Sequence, residues 1–478
     1  MNTDQQSIDQ LYDEQEQNET YRDHLATVDQ KGKRIWLYPK KPKGKFFKKR
    51  EIVSAFLLIF LITGPFIRID GEPLLMLNIF ERKFVLLGQV FWPQDFHLFA
   101  IGFITFIVCI ILFTVVYGRV FCGWICPQTI FMEFVFRRIE YAIEGDYTAQ
   151  RKLDKAPWTT GKIFKKTTKH ILFGLVSVVI MHTFMAYLIG TEKTWEIISG
   201  NPADHLAGFS AMIVLTGLFY GVFARMREQV CTTICPYGRL QGVLMDKHSM
   251  VVAYDYKRGE NRGKFRKKQD RTTAGLGDCI DCKQCVFVCP IGIDIRNGTQ
   301  LECTNCTACM DACDSIMTKI NQPKGLIRYA SEEGIKEGKP FRFTKRMVAY
   351  SVVLCLLMVL SASQLLMRTE VETTVMRTPG ILYQQRDDGT ISNLYNVKVV
   401  NKTNRAMVVS LMPVDENVNI EMVGDSLKLE PNATGSGSFF LIKDQEHVQE
   451  VSSKLAIDVY TDGQKIDKVK TRFLGPVK

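Results

Sequence analysis

No cysteine follows Cys355, no acidic residue interrupts Lys31 to Arg50, and no apolar core of a cleavable signal peptide precedes Ile52. The first absence leaves everything after the last apolar run without disulfides. The second leaves ten basic residues unopposed, a pattern that keeps an amino terminus in the cytoplasm. The third excludes a secretory leader and makes Met1 to Gln30 a polar, disordered tail. A composition of 46% hydrophobic residues over 478 positions also excludes a disordered or collagen-like chain. The net charge of +11 sits beside long apolar runs, so membrane lipid is the expected partner and nucleic acid is not.

Those runs extend from Ile52 to Ile67, Phe96 to Tyr117, Ile171 to Thr191, His205 to Ala224 and Met347 to Met367. Most can cross about 30 Å of hydrocarbon. The first is short and broken by Gly64 and Pro65, so it must tilt or borrow flanking residues. Lys and Arg crowd Arg137 to Lys169 and Arg225 to Arg271 but are sparse in Asp70 to Asp95 and Thr191 to Asp204. The alternation predicts five transmembrane helices in a bacterial inner membrane, amino terminus inside and carboxyl terminus in the periplasm. The implied divisions are a cytoplasmic tail (1–50), a four-helix membrane domain (51–226), a cytoplasmic insert (227–345), a fifth span (346–367) and an exported domain (368–478).

The insert holds the most specific signal. Cys279, Cys282, Cys285 and Cys289 have C-x2-C-x2-C-x3-C-P spacing, and Cys303, Cys306, Cys309 and Cys313 repeat it with Asp314 in place of the second proline. Three close thiolates wrap one face of a cubane while the fourth reaches the other cluster. Two [4Fe-4S] clusters are therefore expected in a ferredoxin-like α+β insert, one on Cys279, Cys282, Cys285 and Cys313, the other on Cys303, Cys306, Cys309 and Cys289. Zinc ribbons pair two C-x2-C knuckles and do not repeat this longer pattern.

A second repeat follows the second and fourth runs: Cys122, Cys126 and Pro127, then Cys231, Cys235 and Pro236. Both read C-x-x-I-C-P. If the first four runs form two related hairpins, all four thiols meet at the cytoplasmic rim, each pair on one helical face, with the proline opening the next helix. Soft thiolates suit Cu(I), zinc or an iron-sulfur cluster; reduced packing cysteines or a catalytic disulfide are the plainer alternatives. Arg119 and Arg137 near one pair, and Arg225, Arg227 and Arg239 near the other, are expected to lower the thiol pKa values. Cys109 and Cys355, each alone in an apolar run, read as small core residues.

His97, His170, His182 and His205 lie at or within apolar runs, where polar groups are costly and often functional, but no pair has the spacing of a haem-binding bundle. Gln128 to Tyr141 reads as an interfacial helix. Lys257 to Arg271 reads as a solvated basic link able to meet anionic lipid or an acidic electron donor. After Met367 the period changes to two, in Tyr395, Val397 and Val399, in Met407 to Met412, and in Leu455, Ile457 and Val459, with Asp388-Gly389 and Asp462-Gly463 as hairpin turns. An all-β immunoglobulin-like sandwich without its disulfide is expected there.

The paired C-x3-C-P motifs, C-P-I-G-I-D-I-R from Cys289, L-E-C-T-N-C-T-A-C-M-D-A-C-D and R-T-P-G-I-L-Y after the last run resemble the CcoG family, also called FixG or RdxA. The resemblance implies an accessory protein of cbb-type cytochrome c oxidase that acts as a cupric reductase. Electrons from a cytoplasmic donor would pass through the two clusters to copper, as substrate or bound ion, on Cys122, Cys126, Cys231 and Cys235. The product would pass to a copper chaperone or oxidase assembly factors, and a homo-oligomer is compatible. A quinol-oxidising membrane ferredoxin of NapH or NosR type, and a non-enzymatic copper carrier or scaffold, are the competing readings.

Overall fold

Among the described residues, four helices are long and apolar enough to cross a membrane: Phe96–Tyr117, Thr160–Ile189, Leu206–Met226 and Lys345–Leu366. They coincide with the second to fifth apolar runs. The computed structural model describes residues 26–476 apart from 30, 70, 81–82, 92–94, 267–269, 272, 370, 381, 404, 425–426, 449 and 462. The tail expected over Met1 to Gln30 falls almost wholly outside the described residues, as does Asp462 of the second hairpin dipeptide. The first run folds as the helix Lys45–Thr63. Its opening turns carry Lys45, Lys48, Lys49 and Arg50, and the apolar part from Ile52 to the end of the helix rises only about 18 Å.

Helices that are apolar all round leave large side chains on their outer surface, as with Phe103, Phe106, Val352 and Leu356. Cys109 and Cys355 share that exposure, which corrects the expectation of core residues. Their runs are too uniformly apolar for sequence to mark the packed face.

The chain divides into two compact units. One comprises Met1–Thr63, Gly102–Ala186 and Glu192–Met358; the other comprises Gly64–Ile101, Tyr187–Thr191 and Val359–Lys478. In the first, the interfacial helix expected over Gln128 to Tyr141 is a helical run made of Pro127–Ile130, a π segment Phe131–Phe136, and Arg137–Ile143. Its Phe131 and Phe136 pack with Phe173 and Phe223, the rings of Phe136 and Phe223 stacking at 4.6 Å. Alongside lies a buried ion network. Arg227 donates to both carboxylate oxygens of Glu140 at 3.0 Å, Arg137 meets Glu133 and Glu228, and Lys166 and Lys169 each reach Glu144 at 3.0 Å.

The insert is closed by antiparallel strands Val251–Tyr254 and Ile327–Ala330, which pack over helices Gln284–Phe287 and Ala308–Lys319. The helix Lys45–Thr63 is capped by this insert: the Asp311 carboxylate accepts from the N–H of Phe47 at 2.8 Å and of Phe46 at 3.2 Å. A carboxylate there satisfies orphan amides and the positive end of the helix dipole.

The second unit contains the two-sheet sandwich. One sheet runs Val418–Val423, Thr434–Asp444, Thr390–Asn401, Val371–Arg377, with Gln384–Gln385 on Thr390–Asn401; the other runs Leu427–Leu429, Met407–Pro413, Ser452–Thr461, Gln464–Leu474. The period-two residues face inward: Tyr395, Val397, Val399, Ile457 and Val459 are buried. Tyr395 stacks on its register partner Phe439 at 5.5 Å. Gly389 supplies the positive φ of the expected turn. The same unit holds the antiparallel strands Leu75–Asn78, Lys83–Leu86 and Gln89–Phe91 and a buried Asp95 bound by Lys402 at 2.6 Å and Arg368 at 2.9 Å.

Candidate iron-sulfur and thiol site

The two cysteine loops of the insert repeat in conformation as well as sequence. Asp281 and Lys283 flank Cys282 with φ of 49° and 52°; Asn305 and Thr307 flank Cys306 with 52° and 63°. Left-handed residues on both sides of a cysteine curl the chain around a central space. Asp and Asn accept that region readily, whereas a β-branched Thr does so only under strain.

The curled loops sort the eight cysteines into two cavities. Cys279, Cys282, Cys285 and Cys313 line one, with Tyr254, Met317 and Leu326. Cys289, Cys303, Cys306 and Cys309 line the other, with Cys285 on the shared side. Backbone N–H groups of Gln284, Asn305 and Ile291 hydrogen-bond Cys282, Cys303 and Cys289. Four thiols per cavity, apolar walls and amides turned on sulfur are a donor set that fits a cubane. Burial pushes the Cys303 thiol up to about 11 and those of Cys289 and Cys313 up to about 12, so binding a cluster releases protons.

Asp314, which replaces the second proline, lies inside the helix Ala308–Lys319, where a proline would break the hydrogen-bond ladder, and its carboxylate accepts from the N–H of Gly325 at 2.9 Å. The basic link is more than a solvated loop. Arg271 is buried and donates to the carbonyls of Gly277, Gly263 and Cys279, while Arg258 pairs with Asp278 and reaches the carbonyls of Pro323 and Lys324. Both arginines latch the Cys279 loop.

The C-x3-C-P residues also come together. Cys122 lies in the turn Val120–Trp124, and Cys126 caps the helix opened by Pro127. Cys231 lies in the π turn Val230–Ile234, and Cys235 caps the helix Pro236–Leu244. The proline opens the helix in both cases, as the sequence implied. Once ionised, Cys122, Cys126 and Cys235 would each bear on Cys231, so the four thiols share one neighbourhood, but among the described residues no three are set as ligands of a single ion.

Their acidity is opposite to expectation. Burial pushes Cys122 up to about 11 and Cys231 up to about 12 and raises Cys126, with Arg119 only partly offsetting the effect. Arg137 and Arg227 are instead neutralised by Glu133, Glu228 and Glu140. Gln241, which sequence reading missed, organises the site: its fully buried Oε1 accepts from Cys122 Sγ at 2.9 Å and from Arg119 Nε at 3.2 Å, and its Nε2 donates to Thr114.

The thiol site abuts the second cysteine cavity. A Cβ on Gly123 would stand 2.4 Å from the Thr304 carbonyl oxygen and 3.0 Å from Cys306 N, so only glycine fits. Arg50, buried, donates to the Gly123 carbonyl at 2.9 Å, and Arg119 donates to the carbonyl of Leu301. On the other side Arg137 reaches the carbonyl of Pro290, beside Cys289, at 3.1 Å.

The histidines divide. His170 Nδ1 and the Tyr220 hydroxyl are 2.8 Å apart, His182 Nδ1 lies 2.6 Å from the Val178 carbonyl, and His205 lies 3.6 Å from Glu196. His97 is exposed. Among the described residues, none of these histidines hydrogen-bonds a cysteine of either site.

Three family profiles match: a 4Fe-4S binding domain over 99–143, a 4Fe-4S dicluster domain over 226–332 and the IG-like fold at the C-terminal of FixG over 362–476. The first range includes Cys122 and Cys126, and the second includes Cys231, Cys235 and all eight insert cysteines. Protein RdxA of Cereibacter sphaeroides is 35% identical over 76% of this chain and 79% of its own length. RdxB of the same organism is 33% identical over 78% and 81%. Nitrogen fixation protein FixG of Rhizobium meliloti is 36% identical over 63% of this chain, and the match spans 58% of FixG. Two cysteine-lined cavities, apolar helices and this similarity over most of RdxA together make the chain a member of the CcoG/FixG/RdxA family of membrane iron-sulfur electron-transport proteins.

Proposed function

We propose that this protein is a cupric reductase that takes electrons from a cytoplasmic donor and gives one to each Cu(II), yielding Cu(I) for assembly of cbb-type cytochrome c oxidase. The observation that carries the reading is the convergence of Cys122, Cys126, Cys231 and Cys235 beside the Thr304 to Cys306 loop. Cys279, Cys282, Cys285 and Cys313 would hold one [4Fe-4S] cluster and Cys289, Cys303, Cys306 and Cys309 the other; when bound, they supply one-electron carriers.

Copper is the substrate at the four rim thiols, whose softness favours Cu(I) over Cu(II) and so retains the product. Each thiol that binds gives up a proton. Cys122 then ceases to donate to Gln241 Oε1, and Arg119, held on the same oxygen, stands beside the new negative charge. In this reading the amino terminus and the insert are cytoplasmic, the sandwich is periplasmic and Lys45–Thr63 is the first of five spans, which the distribution of Lys and Arg supports. Lipid, the donor, and a copper chaperone or oxidase assembly factor are the partners of this reading.

The test is anaerobic. Purified protein with chemically reduced clusters receives stoichiometric Cu(II), and cluster absorbance is followed beside capture of Cu(I) by a chromogenic chelator. Cu(I) should form as the clusters reoxidise, and a variant with Cys122, Cys126, Cys231 and Cys235 all changed to Ala should lose this. Persistent Cu(II) over reduced clusters sinks the reading. A Cys303→Ala variant that no longer reduces Cu(II) yet passes on preloaded Cu(I) as well as the unaltered protein replaces it with a non-enzymatic carrier.

A further inference from the structure

Between the helices Thr160–Ile189 and Leu206–Gly221 lies an open groove of about 520 Å³ that none of the chemistry above uses. Its floor is flat because each helix contributes a glycine: a Cβ added at Gly174 or at Gly217 would meet nothing within 4 Å. Its polarity is graded. At one end sits the His170–Tyr220 pair, 2.8 Å apart; beyond it Val178, Ile213 and Phe209 make an apolar track, and His182, farther along the same lining, has its Nδ1 2.6 Å from the Val178 carbonyl.

The polar end offers hydrogen bonding without a free charge. Lys166 and Lys169, the cations within four residues of His170, are each held by Glu144 at 3.0 Å. A phosphate headgroup would therefore find neither Lys166 nor Lys169 uncommitted there. Haem is also excluded by placement: His170 and His182 belong to one helix and stand about 18 Å apart along its axis, while the facing helix contributes Tyr220 and Thr216 to the lining. What matches is a neutral planar ring with hydroxyl or carbonyl oxygens at its edge and a long apolar tail.

We propose that this groove binds a lipid-soluble quinone or hydroquinone, its ring oxygen at the His170–Tyr220 pair and its tail along Val178, Ile213 and Phe209. The proposal concerns binding alone and does not depend on the copper reading.

Full-length protein in nanodiscs of zwitterionic phospholipid would be photolabelled with an aryl-azido ubiquinone analogue, with decylubiquinone as competitor and labelled peptides mapped by mass spectrometry. Labelling should saturate, fall on peptides containing His170 to His182 and Phe209 to Tyr220, and be displaced by the competitor. Gly217→Leu, which fills the slot, should weaken binding at least tenfold. Tyr220→Phe, which removes one hydrogen bond, should weaken it about fivefold, and His205→Gln should leave it unchanged. Labelling that does not saturate, that ignores both groove variants, or that added phospholipid displaces as well as the quinone does would overturn the assignment.

Discussion

Gly123 lies against the backbone of Cys306, with no room between them for a methyl group. The contact joins residues 183 positions apart and brings the rim thiols to the wall of the second cysteine cavity. Electron transfer falls steeply with distance, so a displacement here should be read in rate before it is read in binding.

Gly123→Ala should cost about 1–3 kcal/mol of stability, as overpacking does, and slow chelator-trapped Cu(I) formation while leaving cluster content intact. Gly161→Ala, where an added Cβ meets nothing, is the matched control. Equal rates in the two variants would dissociate the contact from turnover.

Retention of Cu(I) should strengthen with pH. Cys122 and Cys231 are protonated well above neutrality because burial disfavours the thiolate, and each proton displaced adds up to about tenfold affinity per pH unit. Competition against a Cu(I) chelator from pH 6 to pH 9 measures the slope; a flat profile would mean that these thiols are not ligands. The sign reverses for the metal-free fold. Raised thiol pKa values stabilise it below the ordinary value of 9.0 and that stability is lost as pH rises towards about 11 and 12.

Glu228→Ala leaves Arg137 without one partner in a buried network, and breaking such a pair costs about 3–5 kcal/mol. Glu51→Ala removes only the half-exposed pair with Arg138 and should cost under about 1 kcal/mol. Chemical denaturation of both variants in one detergent gives the comparison, and similar midpoints would contradict it.

In the second unit, Asp95→Asn should remove the buried carboxylate shared by Lys402 and Arg368, leaving Lys402 on Glu372 alone, and destabilise that unit by about 3 kcal/mol. Burial works against the Asp95 carboxylate, but Lys402 and Arg368 outweigh it and hold its pKa below the usual range; the anchor therefore persists at neutral pH and fails only in acid. Hydrogen exchange over Val371–Arg377 and Thr390–Asn401 should rise in the variant, and unchanged protection would show that the ion cluster does not set the stability of these strands.

Much of this was legible in one dimension because its physics is local. Cluster spacing is fixed by the reach of three neighbouring thiolates, and the sandwich strands by a period-two pattern such as Tyr395, Val397 and Val399. The thiol acidities were not, because burial outweighs charge and the arginines counted as neighbours were already spent on Glu140 and Glu228. Gln241 gave no signal in its own segment. Gly123 does carry one: the two rim motifs are C-G-W-I-C-P and C-T-T-I-C-P, and the glycine stands only in the one that meets the Cys306 loop.

The Asp311 cap on Lys45–Thr63 sets an order of events during synthesis. The amides of Phe46 and Phe47 leave the ribosome some 265 positions before the carboxylate that satisfies them, roughly 10–50 s earlier at ordinary elongation rates. For that interval the first apolar helix has an open positive end. Because Asp311 lies between Cys309 and Cys313 in the helix Ala308–Lys319, the helical turn that closes it is also one that must be shaped around its thiols. Starving the cell of iron should therefore expose the Lys45 end to protease in newly made chains, so that maturation of the insert acts as a checkpoint on the amino-terminal helix.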